Sequence, residues 1–214
     1  MSHSTFVINL KSRPDRLANF FMNSIPFLEV VEAIQDTSHP NYGCTQSHKK
    51  ALELSRFRGD SHCFIFEDDA TLNVPFNTIY DCVRDLEKQR DWEIILFSCS
   101  QGFASTEHTI LGSGIELLRI DGIFNGTFAM AISCRAYDKL INRLNIARST
   151  DDVDINIYSK ECAGNIYLVL PFMCYVLSDQ SDIRKYDTSG DLEQIKLCES
   201  RLFINTSFMS GLLH

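Results

Sequence analysis

The stretch Cys63 to Ala70, CFIFEDDA, constrains this chain more than any other. Its apolar run, Cys63 to Phe66, ends abruptly in Glu67, Asp68 and Asp69. A short apolar run bounded by charge reads as a buried strand, and three carboxylates at its end read as a site. Carboxylates crowded into a partly buried cleft repel one another, so a positive charge is expected among them, most simply a divalent cation. The rest of the chain is therefore expected to be arranged around the end of this strand.

At 214 residues the chain suits one large domain with a substantial core and is short for two. We expect a single domain over 1–214. A content of 44% hydrophobic and 22% charged residues places it among globular chains. The net charge of -8 argues against a nucleic-acid surface, which would be basic, yet allows a local basic cluster around one small phosphate ligand. Eight cysteines are spread almost evenly and never form a CxxC pair. Cys63, Cys99 and Cys174 lie in apolar runs, where a free thiol packs as a small core residue. Free thiols and a reducing, cytoplasmic compartment are expected. No run approaches the roughly 18 apolar residues of a membrane span, and the first apolar run is too short for a signal peptide. Peripheral attachment to a membrane is compatible with this composition.

Thr5 to Leu10, TFVINL, reads as a buried first strand that empties into Lys11, Arg13 and Arg16. Ser12 or Asp15 is expected to start a helix over Arg16 to Met22, with Pro14 suited to its first turn. A basic turn at a helix start is a plausible anion site, and simple solvation of Arg13 and Arg16 is an equal alternative from these residues alone. Phe27 to Ile34 reads as a second strand, followed by the loop DTSHPNYG. A helix capped by Thr45 or Ser47 should follow, with Ala51, Leu52 and Leu54 on its apolar side and His48 in its first turn. After the acidic strand come a helix over Asn77 to Gln89 and a strand over Ile94 to Phe97. Residues 102–122 fit a hairpin or edge strands; Thr127 to Ile132 fits a strand and Arg135 to Leu144 a helix. Asp151, Asp152 and Asp154 precede another helical pattern. NIYLVLPFMCYVL is strand-like on either side of Pro171, SDQSDIRKYDTSG is polar and turn-rich, and the end reads as a helix and an apolar tail. Continuously apolar strands alternating with helices indicate an α/β sheet covered on both faces.

VINLKSRPDRL (7–17), GCTQSHKKALEL (43–54) and FIFEDDA (64–70) resemble, in that order, blocks of the family 25 glycosyltransferases. That family includes bacterial lipooligosaccharide galactosyltransferases and collagen galactosyltransferases. DWEIILFS, GTFAMAISCRAYDKL, VDINI and the SDQSDI segment look like its later blocks, so the resemblance covers roughly residues 5–183. The ordered set is far more specific than a bare acidic pair.

The resemblance implies a GT-A fold: a Rossmann-like α/β domain with a mixed, mostly parallel sheet flanked by helices. It implies a nucleotide-sugar part at about 1–100 and an acceptor-side part at about 101–214. The activity it implies is metal-dependent, inverting transfer of a hexose from a UDP-sugar to a glycan or glycoconjugate hydroxyl. Glu67, Asp68 and Asp69 would be the DxD motif, with Asp69 the metal ligand, Asp68 a second one, and Glu67 near ribose or a basic neighbour. The ion would be Mn²⁺ or Mg²⁺, because the departing diphosphate must be neutralised. Asn9 and Leu10 would lie beside the nucleobase, Arg13 and Arg16 near ribose or diphosphate, and Ser47 and His48 at the cleft border. An inverting transfer needs a base for the acceptor hydroxyl. Asp154 is the leading candidate and Asp152 the second, while acids in a first turn also cap helices. Asp182 is assigned either to the metal and acceptor side or to a turn. The chain is short for the family, which suits a compact enzyme or one domain of a longer polypeptide. Two alternatives stand: a catalytically silent nucleotide-sugar-binding or scaffold domain of the same fold, and a nucleotidyltransferase. The latter usually carries a glycine-rich phosphate loop, and VINLKSRPDR contains no glycine.

Overall fold

The computed structural model describes residues 2–89, 91–176 and 193–200, with the backbone alone for 101–107. The chain opens with strand β1 (His3–Asn9), helix α1 (Pro14–Phe20) with a 3-10 turn (Phe21–Asn23), strand β2 (Leu28–Glu32) and helix α2 (Pro40–Arg58). Strands β3 (His62–Glu67) and β4 (Ala70–Leu72), helix α3 (Phe76–Glu87) and strand β5 (Ile94–Leu96) follow. Strands β6 (Gln101–Ile110) and β7 (Glu116–Asn125) form an antiparallel hairpin. Strand β8 (Ala129–Ser133) leads into helix α4 (Cys134–Asn145). A π-helical turn (Val153–Tyr158) then runs into the short helix α5 (Ser159–Glu161), followed by strands β9 (Ile166–Leu170) and β10 (Cys174–Val176). Residues 193–200 are helical.

The main sheet has eight strands in the order β2-β1-β3-β8-β5-β9-β7-β6, and β10 pairs with β4 in a separate ribbon. Strands β2, β1, β3, β5, β9 and β6 point one way, and only β8 and β7 oppose them. This is the mixed, mostly parallel α/β sheet flanked by helices that the sequence leads one to expect.

Alternation along β3 explains why it is apolar throughout: successive side chains enter opposite layers. Phe64 and Phe66 face one layer, where Phe64 meets Phe76 and Tyr80, and Phe66 meets Phe20 and Phe76. Helix α3 lies on this face and buries Ile79, Cys82, Val83 and Leu86, spaced as a helix requires. Cys63 enters the other layer, where it meets Tyr137 of α4 and Ser55 of α2. Helices α2 and α4 share that face, joined by Gln46 Nε2 donating to the Leu144 carbonyl at 3.3 Å.

Three expectations change in detail. Helix α2 starts at Pro40, five residues before Thr45, so neither Thr45 nor Ser47 caps it. Both hydroxyls bond back to carbonyls one turn earlier, Thr45 to Asn41 at 2.9 Å and Ser47 to Gly43 at 2.7 Å. Proline supplies the start because its missing N–H costs nothing at a first helical position. Helix α1 likewise begins at Pro14, and the residue before it is Arg13 rather than Ser12, with no side-chain cap. The hairpin or edge-strand expectation for 102–122 resolves to the β6–β7 hairpin at the sheet margin. None of the eight cysteines is in a disulfide, and the Cys99 and Cys198 sulfurs lie 3.8 Å apart. Among the described residues no helix is long and apolar enough to cross a membrane.

Candidate functional site

The C-terminal ends of the parallel strands β1, β2 and β3 converge, the position at which open α/β sheets bind ligands. A cleft of about 220 Å³ opens there, lined by Leu10, Arg16, Ser47, His48 and the acidic triplet. The loop after β2, from Ala33 to Thr37, forms its opposite lip.

The triplet is divided among different partners. Asp68 is buried and accepts from Asn9 Nδ2 at 2.6 Å and from Arg16 Nη1 at 3.2 Å. Burial pushes its carboxyl up, and the Arg16 charge and the Asn9 hydrogen bond partly offset this. Asp69 Oδ2 lies 3.4 Å from the same Arg16 Nη1. Its other oxygen, Oδ1, is buried and has no hydrogen-bond partner. Burial first, and the Glu67 charge second, push the Asp69 carboxyl up to about 7 against the pull of Arg16. Glu67, the last residue of β3, accepts from the Thr127 hydroxyl at 2.5 Å and sits 3.6 Å from His48 Nε2. Burial acts to raise its carboxyl, but His48 and Thr127 together outweigh that and leave it below the usual range.

The remaining expected residues fall into two groups. Asn9 ends β1, and besides Asp68 it holds the Arg13 carbonyl at 2.9 Å, which fixes the basic turn against the triplet. Arg16 lines the cleft. Arg13 instead pairs with Asp15 at 2.9 Å. Ser47 is fully buried; it accepts from the Ile34 amide at 2.8 Å while donating to Gly43, so it ties the lip loop to α2. His48 Nδ1 lies 3.2 Å from the Tyr158 hydroxyl.

Asp152 bonds to Asn41 of α2 through its Oδ1. Asp154 accepts from the Gly126 amide at 2.8 Å and from the Ile155 amide at 2.7 Å. Burial raises the Asp154 carboxyl despite those two donors, with Asp152 and Glu67 adding to the rise. Asp151 is a structural anchor: it takes Arg143 at 2.9 Å and the Arg148 amide at 3.1 Å, which hold it below the usual carboxylate range. Asp182 lies outside the described residues.

Four residues at the site gave no functional signal in the sequence: Cys44, Gly126, Thr127 and Tyr158. Cys44 lies one helical turn before His48, a spacing that places both on one face of α2 and marks a shared site once the helix is known. Gly126, at φ 116°, and Thr127 bridge Asp154 to Glu67, a link that only the fold creates. Chemically, the cleft combines one buried guanidinium with a carboxylate oxygen that has no partner, and so suits an anionic ligand carrying a divalent cation.

No family model matches the chain, and no curated protein matches it. Among solved structures it is similar to A197 from STIV, with a TM-score of 0.50 and 11% identity over 84% of this chain and 87% of that one. A mannose-1-phosphate geranyltransferase from Thermus thermophilus matches with a TM-score of 0.43 and 11% identity, over 79% and 74% of the two chains. A glycosyltransferase involved in the glycosylation of the major capsid of PBCV-1 matches with a TM-score of 0.43 and 8% identity, over 78% and 81%. At such identities the likeness is one of fold.

Proposed function

We propose that this protein is a metal-dependent, inverting glycosyltransferase of the family 25 kind. It would move a hexose, galactose or glucose, from a UDP-sugar to a hydroxyl of a glycan or glycoconjugate in the cytoplasm. The observation that carries this reading is the partnerless, buried Oδ1 of Asp69 beside Arg16, at the ends of β1 and β3. A buried anionic oxygen without a donor is costly, and a divalent cation removes that cost. Asp69 would hold Mn²⁺ or Mg²⁺; Asp68, whose oxygens already serve Asn9 and Arg16, supports it from behind. When bound, the cation neutralises charge that develops on the departing diphosphate.

Arg16 binds the diphosphate from the other side and keeps the acidic turn in place. Leu10 and the loop after β2 enclose the nucleobase, with Asn9 fixing the turn beneath it. Ser47 and His48 border the cleft. Asp154 takes the acceptor proton, with Asp152 the second candidate; burial makes the Asp154 carboxylate a stronger base than an exposed one. One observation favours a second reading, a catalytically silent nucleotide-sugar-binding domain. Both oxygens of Asp154 already accept backbone amides, as a purely structural clamp would.

The test is a thermal-shift series with UDP-, GDP-, CMP- and dTDP-sugars, with and without Mn²⁺. A UDP-sugar near 100 times its Kd should raise Tm by roughly 5–10 °C, only with metal, and not in Asp69→Ala. A metal-independent shift sinks the cation assignment. Asp154→Asn should lower turnover by about 100-fold or more with donor binding kept. Turnover at the parent level moves the role to Asp152, and binding without any donor hydrolysis or transfer establishes the silent domain.

A further inference from the structure

We infer that Cys44, His48 and Glu67 form a binding site for a zinc-class divalent ion, different in donor chemistry from the hard oxygen of Asp69. One ligand atom from each of the three lies within 4.8 Å of the others. Helix α2 supplies Cys44 and His48 from adjacent turns, and the end of β3 brings Glu67 against them. A thiolate, an imidazole and a carboxylate are donors that zinc accepts together, whereas Mg²⁺ and Mn²⁺ prefer oxygen alone.

An independent observation points into the same space. His48 is fully buried, yet its Nε2 has no hydrogen-bond partner and sits 3.6 Å from Glu67 Oε1. That gap is too long for a good hydrogen bond. It fits an ion between the two atoms, because two zinc bonds of about 2.05 Å at a tetrahedral angle separate their donors by roughly 3.4 Å. Support behind the imidazole is also in place. If Nδ1 carries the proton and donates it to the Tyr158 oxygen, 3.2 Å away, the Nε2 lone pair is left facing Glu67. Glu67 in turn is steadied by the Thr127 hydroxyl.

Binding replaces the Cys44 S–H bond by a metal–sulfur bond, and the thiol proton leaves to solvent. All three residues line the cleft, so the fourth coordination position opens into it, the form taken by zinc sites that bind an exogenous oxygen ligand. The zinc site shares its cleft, and the residues His48 and Glu67, with the transferase reading, but it uses neither Asp69 nor a sugar donor as a ligand.

The test uses the whole chain, stripped of metal by a chelator, with Co²⁺ and then Zn²⁺ as probes. One equivalent of Co²⁺ should produce a thiolate-to-cobalt absorption band that Zn²⁺ abolishes by displacement. Cys44→Ser should lose the band and weaken Zn²⁺ binding by roughly 100-fold. Tyr158→Phe should keep the band and weaken binding by about 10-fold or more. Asp69→Asn should keep the thiolate-to-cobalt band, because Asp69 supplies no ligand atom, which separates this site from the proposed donor metal. No band in the parent protein, or a band retained in Cys44→Ser, overturns the proposal. Should Cys44→Ser fail to fold, alkylation of the parent protein decides: Zn²⁺ is expected to protect Cys44 from iodoacetamide, and equal labelling with and without Zn²⁺ overturns the site.

Discussion

Gly43 shows how much of the cleft hangs on a single missing side chain. A Cβ built at this position would lie 2.4 Å from the Ile34 carbonyl oxygen and 3.1 Å from the Asp36 nitrogen. Both are backbone atoms of the loop that forms the cleft lip, so no rotamer change relieves the clash. Gly43→Ala should therefore displace that loop, lower Tm by roughly 3–8 °C, and weaken nucleotide-sugar binding. Gly112, whose Cβ would meet nothing within 4 Å, is the matched control and should tolerate alanine with little change. Calorimetry of the two variants checks this. At this scale the sequence was legible where chemistry is carried by unusual residues. EDD announced itself through charge, whereas Arg16, after an apolar run, was as compatible with solvation as with an anion site. Gly43 and Thr127 did not announce themselves, because their importance comes from neighbours distant in the chain, which no local pattern encodes.

Between elements, the clearest joint is Ser47. Its hydroxyl donates to Gly43 within α2 and accepts the Ile34 amide from the chain leaving β2. Ser47→Ala leaves that amide without its partner and should cost about 1–3 kcal/mol. Faster hydrogen exchange at the Ile34 amide, beyond the general change in stability, is the expected signature; an unchanged rate would show that the loop is held by other contacts. The elements themselves were largely legible. Strand β3 was marked by an apolar run closed by charge, and α3 and α4 by apolar positions at helical spacing. The start of α2 was not, because PNYG carries turn-forming residues that here serve as a first helical turn. Equally hidden was the pairing order, in which β8 enters between β3 and β5. Strand pattern tells which faces are buried, but not which neighbour an edge selects.

The molecule as a whole carries two opposing responses to acid. At the end of the sheet away from the cleft, His62 stacks on His3 at 5.4 Å and is pushed down to about 4, mainly by burial and next by the His3 charge. The unfolded chain takes up that proton near 6.5, before the folded one does, so this group removes stability as pH falls from about 6.5 to 4. Asp69 acts in the reverse sense. Its folded value near 7 exceeds the ordinary 3.8, so its protonation adds stability as pH falls from about 7 to 3.8. Urea unfolding at several pH values, compared between the parent protein and two variants, separates these contributions. Asp69→Asn should stabilise the metal-free protein at pH 8 and expose a steeper acid loss; His62→Gln should show the opposite slope. Parallel profiles for all three would contradict both assignments.

The place of β8 has a consequence for the order in which the fold can be completed. Strands β3 and β5 are synthesised early, yet the lane between them is filled only by residues 129–133, after the whole β6–β7 hairpin has emerged. Until then the nascent chain presents two unpaired strand margins, one of them carrying the buried Phe64 and Phe66. A ribosome-released fragment ending at residue 100 should therefore be insoluble, and solubility should return only when the chain extends through residue 170, which supplies both β8 and β9. The proposed donor half, about residues 1–100, is thus not a unit of folding: its central strands depend on strands that come later in the chain.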